Sequence, residues 1–153
     1  MHQSAINSFI DFQKNYLDPS SQKIKIVEVG SKSVNSHIKN LLNKNTDYIG
    51  LDIEAGDNVD LVLKDPYKFP IEDSSVDVVI SISVFEHSEF FWLTYLEILR
   101  ILKPTGLFFL NAPSNSKYPM VRSSYDSLPL HGKRWSKPRL ELHVQRLLRC
   151  QRE

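Results

Sequence analysis

The run Val76-Asp77-Val78-Val79-Ile80-Ser81-Ile82 is apolar and β-branched at five of seven positions. A strand with one wet face alternates apolar and polar residues, so a nearly continuous run implies a central strand covered on both faces. That requirement brings helices onto both sides of a parallel sheet. The flanking sequence supplies them. Phe91, Tyr95, Ile98 and Leu102 recur at helical spacing, with Ser88 as the expected N-cap, Glu89 in the first turn and Pro104 as the stop. A strand is expected over 106–110, after the Pro104-Thr105-Gly106 turn.

Upstream the same alternation holds. Residues 3–17 place Ile6, Phe9, Ile10, Gln13, Tyr16 and Leu17 on one helical face, and Asp18-Pro19-Ser20 ends that helix. Residues 24–29 read as a first strand, followed by a turn at Gly30. Ile38, Leu41 and Leu42 predict a short helix capped by Asn35 or Ser36. Residues 48–53 make a second strand and residues 59–63 a weaker third. The fold class is therefore α/β, a doubly wound and mostly parallel sheet.

In such a sheet, ligands bind outside the carboxyl ends of the strands, where the chain direction reverses about the first strand. Glu28 and Gly30 stand at the end of strand one, Asp52 at the end of strand two, and Asp65 beyond strand three. Residues 83–87, ending in His87, follow strand four. Three carboxylates at consecutive strand ends are not demanded by packing, and each can accept hydrogen bonds from a ligand's amine or hydroxyl groups. Plainer readings stand beside this one. Glu28 can be a surface acid, Asp52 a turn residue, and Asp65-Pro66 a simple turn opener. Gly50 within a strand can mark close backbone packing, and His87 can bridge a strand-to-helix turn.

The segments Ile26-Val27-Glu28-Val29-Gly30, Tyr48-Ile49-Gly50-Leu51-Asp52-Ile53, Asp65-Pro66-Tyr67-Lys68-Phe69-Pro70-Ile71, Val76-Asp77-Val78-Val79-Ile80-Ser81, Glu86-His87 and Arg100-Ile101-Leu102-Lys103-Pro104-Thr105-Gly106-Leu107 occur in that order. Together they resemble class I S-adenosylmethionine-dependent methyltransferases, in the branch known as methyltransferase domain type 11, over about residues 22–115. The resemblance implies a Rossmann-like sheet of order 3-2-1-4-5 and S-adenosylmethionine as cofactor, with S-adenosylhomocysteine as product. It implies that Glu28, Gly30 and Ser31 approach the methionine part, that Asp52 holds the ribose hydroxyls and that Ile53 covers an adenine face. It further implies Asp65 and Pro66 beside the adenine, Ser83 and Val84 lining the methyl-donor pocket, and His87 as a candidate base. Transfer from a sulfonium is an in-line displacement, so alignment supplies much of the rate and a base matters only for an acceptor that must lose a proton.

Three departures from the family pattern stand out. Lys32 and Val34 occupy positions where a fuller motif carries glycine, and Lys32 there is a candidate partner for the cofactor's carboxylate. Pro66 lacks the backbone N–H that commonly donates to the adenine. Nothing between Asn111 and Glu153 reads as the family's closing antiparallel hairpin, so the expectation is either a shortened chain or a partner, such as a second copy in a homodimer, covering the edge at strand five. Val121 and Tyr125 are too isolated among prolines to make a strand, and only residues 140–148 look helical again.

The expected organisation is one methyltransferase-like domain over 1–153, with a cofactor-binding core at 22–115 and an irregular basic segment at 116–153. Residues 133–153 carry seven basic and two acidic side chains, whereas residues 1–132 carry 12 and 16. A solvated terminal helix is the plainer reading of that asymmetry, and an RNA-modifying variant stays open. No apolar run reaches the roughly 20 residues that span a bilayer. Cys150 is the single cysteine, which excludes an internal disulfide and a cysteine-rich zinc site. No metal is expected, no secretory signal is read, and the cytoplasm is the default compartment.

The expected function is methyl transfer to a small-molecule oxygen or nitrogen nucleophile, entering between Phe9, Phe12 and Tyr16 and the loop bearing Asn115 and Tyr118. The competing class is a catalytically silent interaction module. A nicotinamide dehydrogenase fits less well: Asp52 lies 22 positions past Gly30, but the G-x-G-x-x-G turn is missing.

Overall fold

In the computed structural model the described residues are 3–17, 23–32, 38–112 and 135–136. Helix α1 (Gln3–Tyr16) precedes β1 (Ile24–Val29), a 3-10 turn (Ile38–Leu41), β2 (Thr46–Asp52) and β3 (Leu61–Val62). Then come β4 (Val76–Ile82), a second 3-10 turn (Phe85–His87), α2 (Phe91–Ile101), β5 (Leu102–Asn111) and β6 (Trp135–Ser136). The sheet order is β3-β2-β1-β4-β5-β6, and the first five strands run parallel. The chain travels outward from β1 to β3, then returns to β4 on the other side of β1. The reversal falls between β1 and β4, where a ligand crevice is expected in such a sheet.

Alternation along the strands divides the core into two layers. Val27, Val29, Leu51, Val79 and Phe108 pack with Tyr95, Ile98 and Leu99 of α2 on one face. Ile26, Val78, Ile80 and Phe109 pack with Ala5, Phe9 and Phe12 of α1 on the other. Both faces of β4 are thereby covered, as its unbroken apolar run requires.

The buried stripe of α1 is Ala5, Phe9 and Phe12, rotated from the face expected. Phe9 and Phe12 both close on the Phe109 ring, at centroid separations of 5.4 and 5.0 Å. Two large rings meeting a third outweigh the branched aliphatic residues beside them, so Ile6 and Ile10 are left half-buried and Tyr16 is exposed. Gln13 donates from Nε2 to the Leu41 carbonyl at 3.0 Å. Phe9 and Phe12 are therefore core residues, which removes them from any substrate entrance. Asn115 and Tyr118, the other side of that entrance, lie outside the described residues, as do Asp18, Pro19, Val34, Asn35, Ser36, Val121, Tyr125, 140–148 and Cys150.

Helix α2 also begins and ends differently. Its N-cap is Phe90, with no side-chain cap bond, because Ser88 already terminates the 3-10 turn before it. The helix stops at Ile101, and Leu102 is extended, so Pro104 lies inside β5 rather than ending α2. Register jumps from Val76↔Leu102 to Val78↔Leu107, so the Pro104-Thr105-Gly106 segment bulges out where proline's missing N–H costs no ladder bond. Asp77 fastens this bulge: Oδ1 accepts from Lys103 Nζ at 2.7 Å and Oδ2 from the Lys25 amide at 3.0 Å.

β3 is shorter than the 59–63 stretch expected. Asn58, at φ +66, turns the chain and leaves Leu61 and Val62 to pair with Leu51 and Asp52. At the other edge, β6 pairs antiparallel with β5 at Leu107↔Ser136 and Phe108↔Trp135. The sheet thus gains an antiparallel strand that was not expected from the sequence, and this part of the β5 edge is met by the chain itself. Among the described residues, no helix is long and apolar enough to cross a membrane.

Candidate functional site

Parallel pairing brings the carboxyl ends of β1, β2 and β4 together. Glu28↔Gly50 and Val29↔Leu51 are in register on one side, and Glu28↔Ile80 and Val29↔Ser81 on the other. Glu28 is 4% exposed, and its Oε2 accepts from the Tyr48 hydroxyl at 2.6 Å. Burial pushes the Glu28 carboxyl up to about 7; the Tyr48 hydrogen bond pulls it back, and the charge of Asp52 adds to the rise. Burial likewise pushes the Tyr48 phenol up, with Glu28 adding to the effect. A buried carboxylate held by a neutral phenol is unlike a surface acid, which disposes of that reading for Glu28.

After β1 the chain turns at Gly30, with φ +78. A Cβ there would lie 2.1 Å from Val84 Cγ2, so the Cβ direction at Gly30 is closed by the loop after β4. The amides of Gly30 and Ser31 both donate to the Leu51 carbonyl, at 2.8 and 3.0 Å. Gly30 thus serves the turn and the close contact with Val84. Gly50 is a packing glycine too, since a Cβ there would meet the Asn58 carbonyl and Ser31 Oγ.

Asp52 joins two loops. Its Oδ2 accepts from the Lys32 amide at 2.9 Å and its Oδ1 from the Glu54 amide at 3.1 Å. The carboxylate is half-buried, and each oxygen keeps a further lone pair for a ligand. The Lys32 side chain does not turn toward this crevice. Its ammonium pairs with Glu54, and its stem crosses Gly56, where a Cβ would meet Lys32 Cγ at 2.9 Å. The pair holds the Glu54 carboxyl below its usual range. Ile53 is 61% exposed directly beyond Asp52.

Asp65 and Pro66 are exposed. Asp65 Oδ1 accepts from the Tyr67 amide at 2.8 Å and its carbonyl from the Lys68 amide at 3.2 Å, the geometry of a turn opener. The turn is anchored from behind by Arg100, which donates to the carbonyls of Phe69 and Ile71 at 2.8 Å each and to Glu97 at 2.7 Å.

At the end of β4, Ser83 is exposed and takes φ +56, a conformation that costs a non-glycine residue about 1–3 kcal/mol. Its amide donates to the Asn111 carbonyl at 2.8 Å, which holds the end of β4 against that of β5. Val84 follows, over Gly30, and then the 3-10 turn bearing Glu86 and His87. His87 is exposed, and its amide donates to the Val84 carbonyl at 2.9 Å.

Ser31 Oγ, Ser81 Oγ and Glu86 Oε2 are buried without a hydrogen-bond partner among the described residues. Ser31 Oγ approaches the Tyr48 hydroxyl without the geometry of a bond. Burial raises the Glu86 carboxyl above its usual range. Orphaned buried polar atoms are rare in folded proteins and call for a partner. Ser31 follows β1 and lies against Gly50, the register partner of Glu28, whereas Ser81 pairs with Val29 and faces α2, and Glu86 is met by Ser83. Tyr48 and Ser81 escaped the strand-end reading of the sequence, while Glu86 stood within its 83–87 stretch without a role. Tyr48 lies four residues before its strand ends, and only the parallel register brings it to Glu28.

Residues 27–110, more than half of the chain, match the family model described as Methyltransferase domain. None of the curated proteins searched matches the chain. Among solved structures, the PH0226 protein of Pyrococcus horikoshii is 22% identical with a TM-score of 0.55, over 69% of this chain and 52% of that one. The CurJ carbon methyltransferase is 23% identical with a TM-score of 0.52, over 68% and 33%. The (4+2)-cyclase SpnF is 16% identical with a TM-score of 0.53, over 69% and 43%. These likenesses concern the fold, and the chain spans about half the length of the first structures it matches. A cyclase among them illustrates that this fold does not by itself fix a reaction.

Proposed function

The chain belongs to the methyltransferase-domain family, the type 11 branch of the class I S-adenosylmethionine-dependent methyltransferases, and on that premise we propose that it methylates an oxygen or nitrogen nucleophile of a small molecule. The observation that carries the reading is that Glu28 and Asp52 share one face of the sheet at the ends of β1 and β2, with the orphaned Ser31 Oγ beside Gly50 between them. A cationic nucleoside fits that set: it offers donors to Ser31 Oγ and Asp52 and a positive charge to two neighbouring carboxyl groups.

S-adenosylmethionine, when bound, supplies a methyl group on a sulfonium. The residues of this chain hold and orient. Asp52 offers its remaining lone pairs to the ribose hydroxyls while its other contacts keep the loops after β1 and β2 in place. Ile53 offers an exposed apolar surface to the adenine. Asp65 keeps Oδ2 for the adenine amino group, and Pro66 offers no amide, so recognition there rests on apolar contact. Ser83 and Val84 border the methyl-donor side. His87, exposed beyond them, accepts the proton of a hydroxyl acceptor.

A second reading, a catalytically silent interaction module, is favoured by Lys32 tied to Glu54 in place of a motif glycine. Incubation with S-adenosylmethionine labelled in its methyl group and a small-molecule extract separates the two, since only an enzyme moves label into the extract. The site itself is tested by soaking a crystal with S-adenosylhomocysteine. Density beside Gly30 and Asp52 is expected, and density elsewhere or none overturns the proposal.

A further inference from the structure

Glu28 lies buried with no cation paired to it among the described residues. β2 faces it with the Tyr48 phenol and Asp52. Asp60, in the turn beyond β2, accepts from the Gly50 amide at 2.7 Å and acts on Tyr48. β4 presents Ile80 in register, and α1 covers that face of the sheet with Ala5, Phe9 and Phe12, none of which ionises. The two lysines nearby are engaged elsewhere. Lys39 pairs with Asp60 at 3.7 Å and lies 5.0 Å over the Tyr48 ring, and Lys32 pairs with Glu54.

A carboxylate in such surroundings is stable as an anion only when a positive charge joins it; otherwise it keeps its proton. The phenol can serve either state, because it donates to an anion and can accept from an acid. We propose that Glu28 and Tyr48 form a proton-linked charge reader, in which the sulfonium cofactor drives the proton off Glu28 and the neutral thioether product lets it return. This rests on the function proposed above and adds a means of telling substrate from product by charge. The cofactor carries one positive charge more than the product, and around the buried Glu28 carboxyl charge is poorly screened. Glu28 holds its proton up to about pH 7, so the exchange falls in the range where cells operate.

Calorimetric titrations with S-adenosylmethionine and with S-adenosylhomocysteine, each in phosphate and in Tris at pH 7, count the protons exchanged. The cofactor is expected to release about half a proton and the product less than about a tenth, as follows for an acid half-ionised before binding. Between pH 6 and pH 8 the cofactor's Kd should fall about tenfold while the product's Kd changes less than about twofold. Glu28→Gln should abolish the release and flatten the profile. Tyr48→Phe removes a donor that favours the anion, so it should move the midpoint to higher pH, and it carries the test if Glu28→Gln does not fold. Equal proton release with both ligands, no release with the cofactor, or release that survives in Glu28→Gln overturns the charge reader alone. Absence of binding by either ligand overturns the proposed function with it.

Discussion

The Lys32 amide donates to Asp52 Oδ2 at 2.9 Å, which fastens the turn after β1 to the end of β2. The bond uses the backbone of residue 32, so it is indifferent to the side chain there. The tie between the two loops is therefore made although a lysine stands where the family motif has glycine.

Lys32→Gly should preserve binding. The Lys32–Glu54 pair is exposed at both ends and contributes little to stability. Calorimetry should find the affinity for S-adenosylmethionine unchanged or improved. A tenfold loss would mean that the ammonium leaves Glu54 to hold the cofactor's carboxylate.

Gly30→Ala should destabilise the protein by about 2–5 kcal/mol, since it combines a left-handed φ with a clash against Val84. In a denaturant double-mutant cycle, Val84→Ala should relieve the clash and leave the backbone part, about 1–2 kcal/mol. Full additivity of the two substitutions would show that the contact carries no strain.

Glu28 makes stability fall as pH rises. Its folded value of about 7 exceeds the ordinary 4.5, so between these values the folded chain holds a proton that the unfolded chain has lost. Its stabilising share is full below about pH 4.5 and is lost by pH 7 to 8, on the order of 3 kcal/mol in all. Urea unfolding from pH 5 to pH 8 should show the wild type declining relative to Glu28→Gln. Parallel curves would mean that Glu28 ionises as freely in the folded chain as in the unfolded one.

Phe9→Ala should cost about 3–5 kcal/mol, because Phe9 is fully buried against Phe109. At a temperature where the variant remains folded, its affinity for S-adenosylmethionine should match the wild type. A selective loss of binding would return Phe9 to the ligand site.

The bounds of β1 and β4 are legible in the sequence because β-branched runs between turn residues are a local signal. So are Glu28 and Asp52, since strand ends in a parallel sheet point to one edge. The buried face of α1 is not legible: its rotation is set by Phe109, about a hundred residues away. The Glu28–Tyr48 pair is hidden for the same reason, as register and not spacing joins the two. Ser88 misleads because a 3-10 turn ends at the residue that would otherwise cap α2. Lys32 misleads because its charge finds Glu54, a neighbour only once β1 and β2 have paired.

Titration of S-adenosylmethionine into the wild type and into Asp52→Ala tests the central claim most directly, because Asp52 unites the two loops around the crevice. Micromolar binding by the wild type, weakened at least about tenfold in the variant, is the expected result for loss of charge-assisted hydrogen bonds. No heat at millimolar ligand, or equal affinity in the two proteins, would contradict a nucleoside held at the ends of β1 and β2.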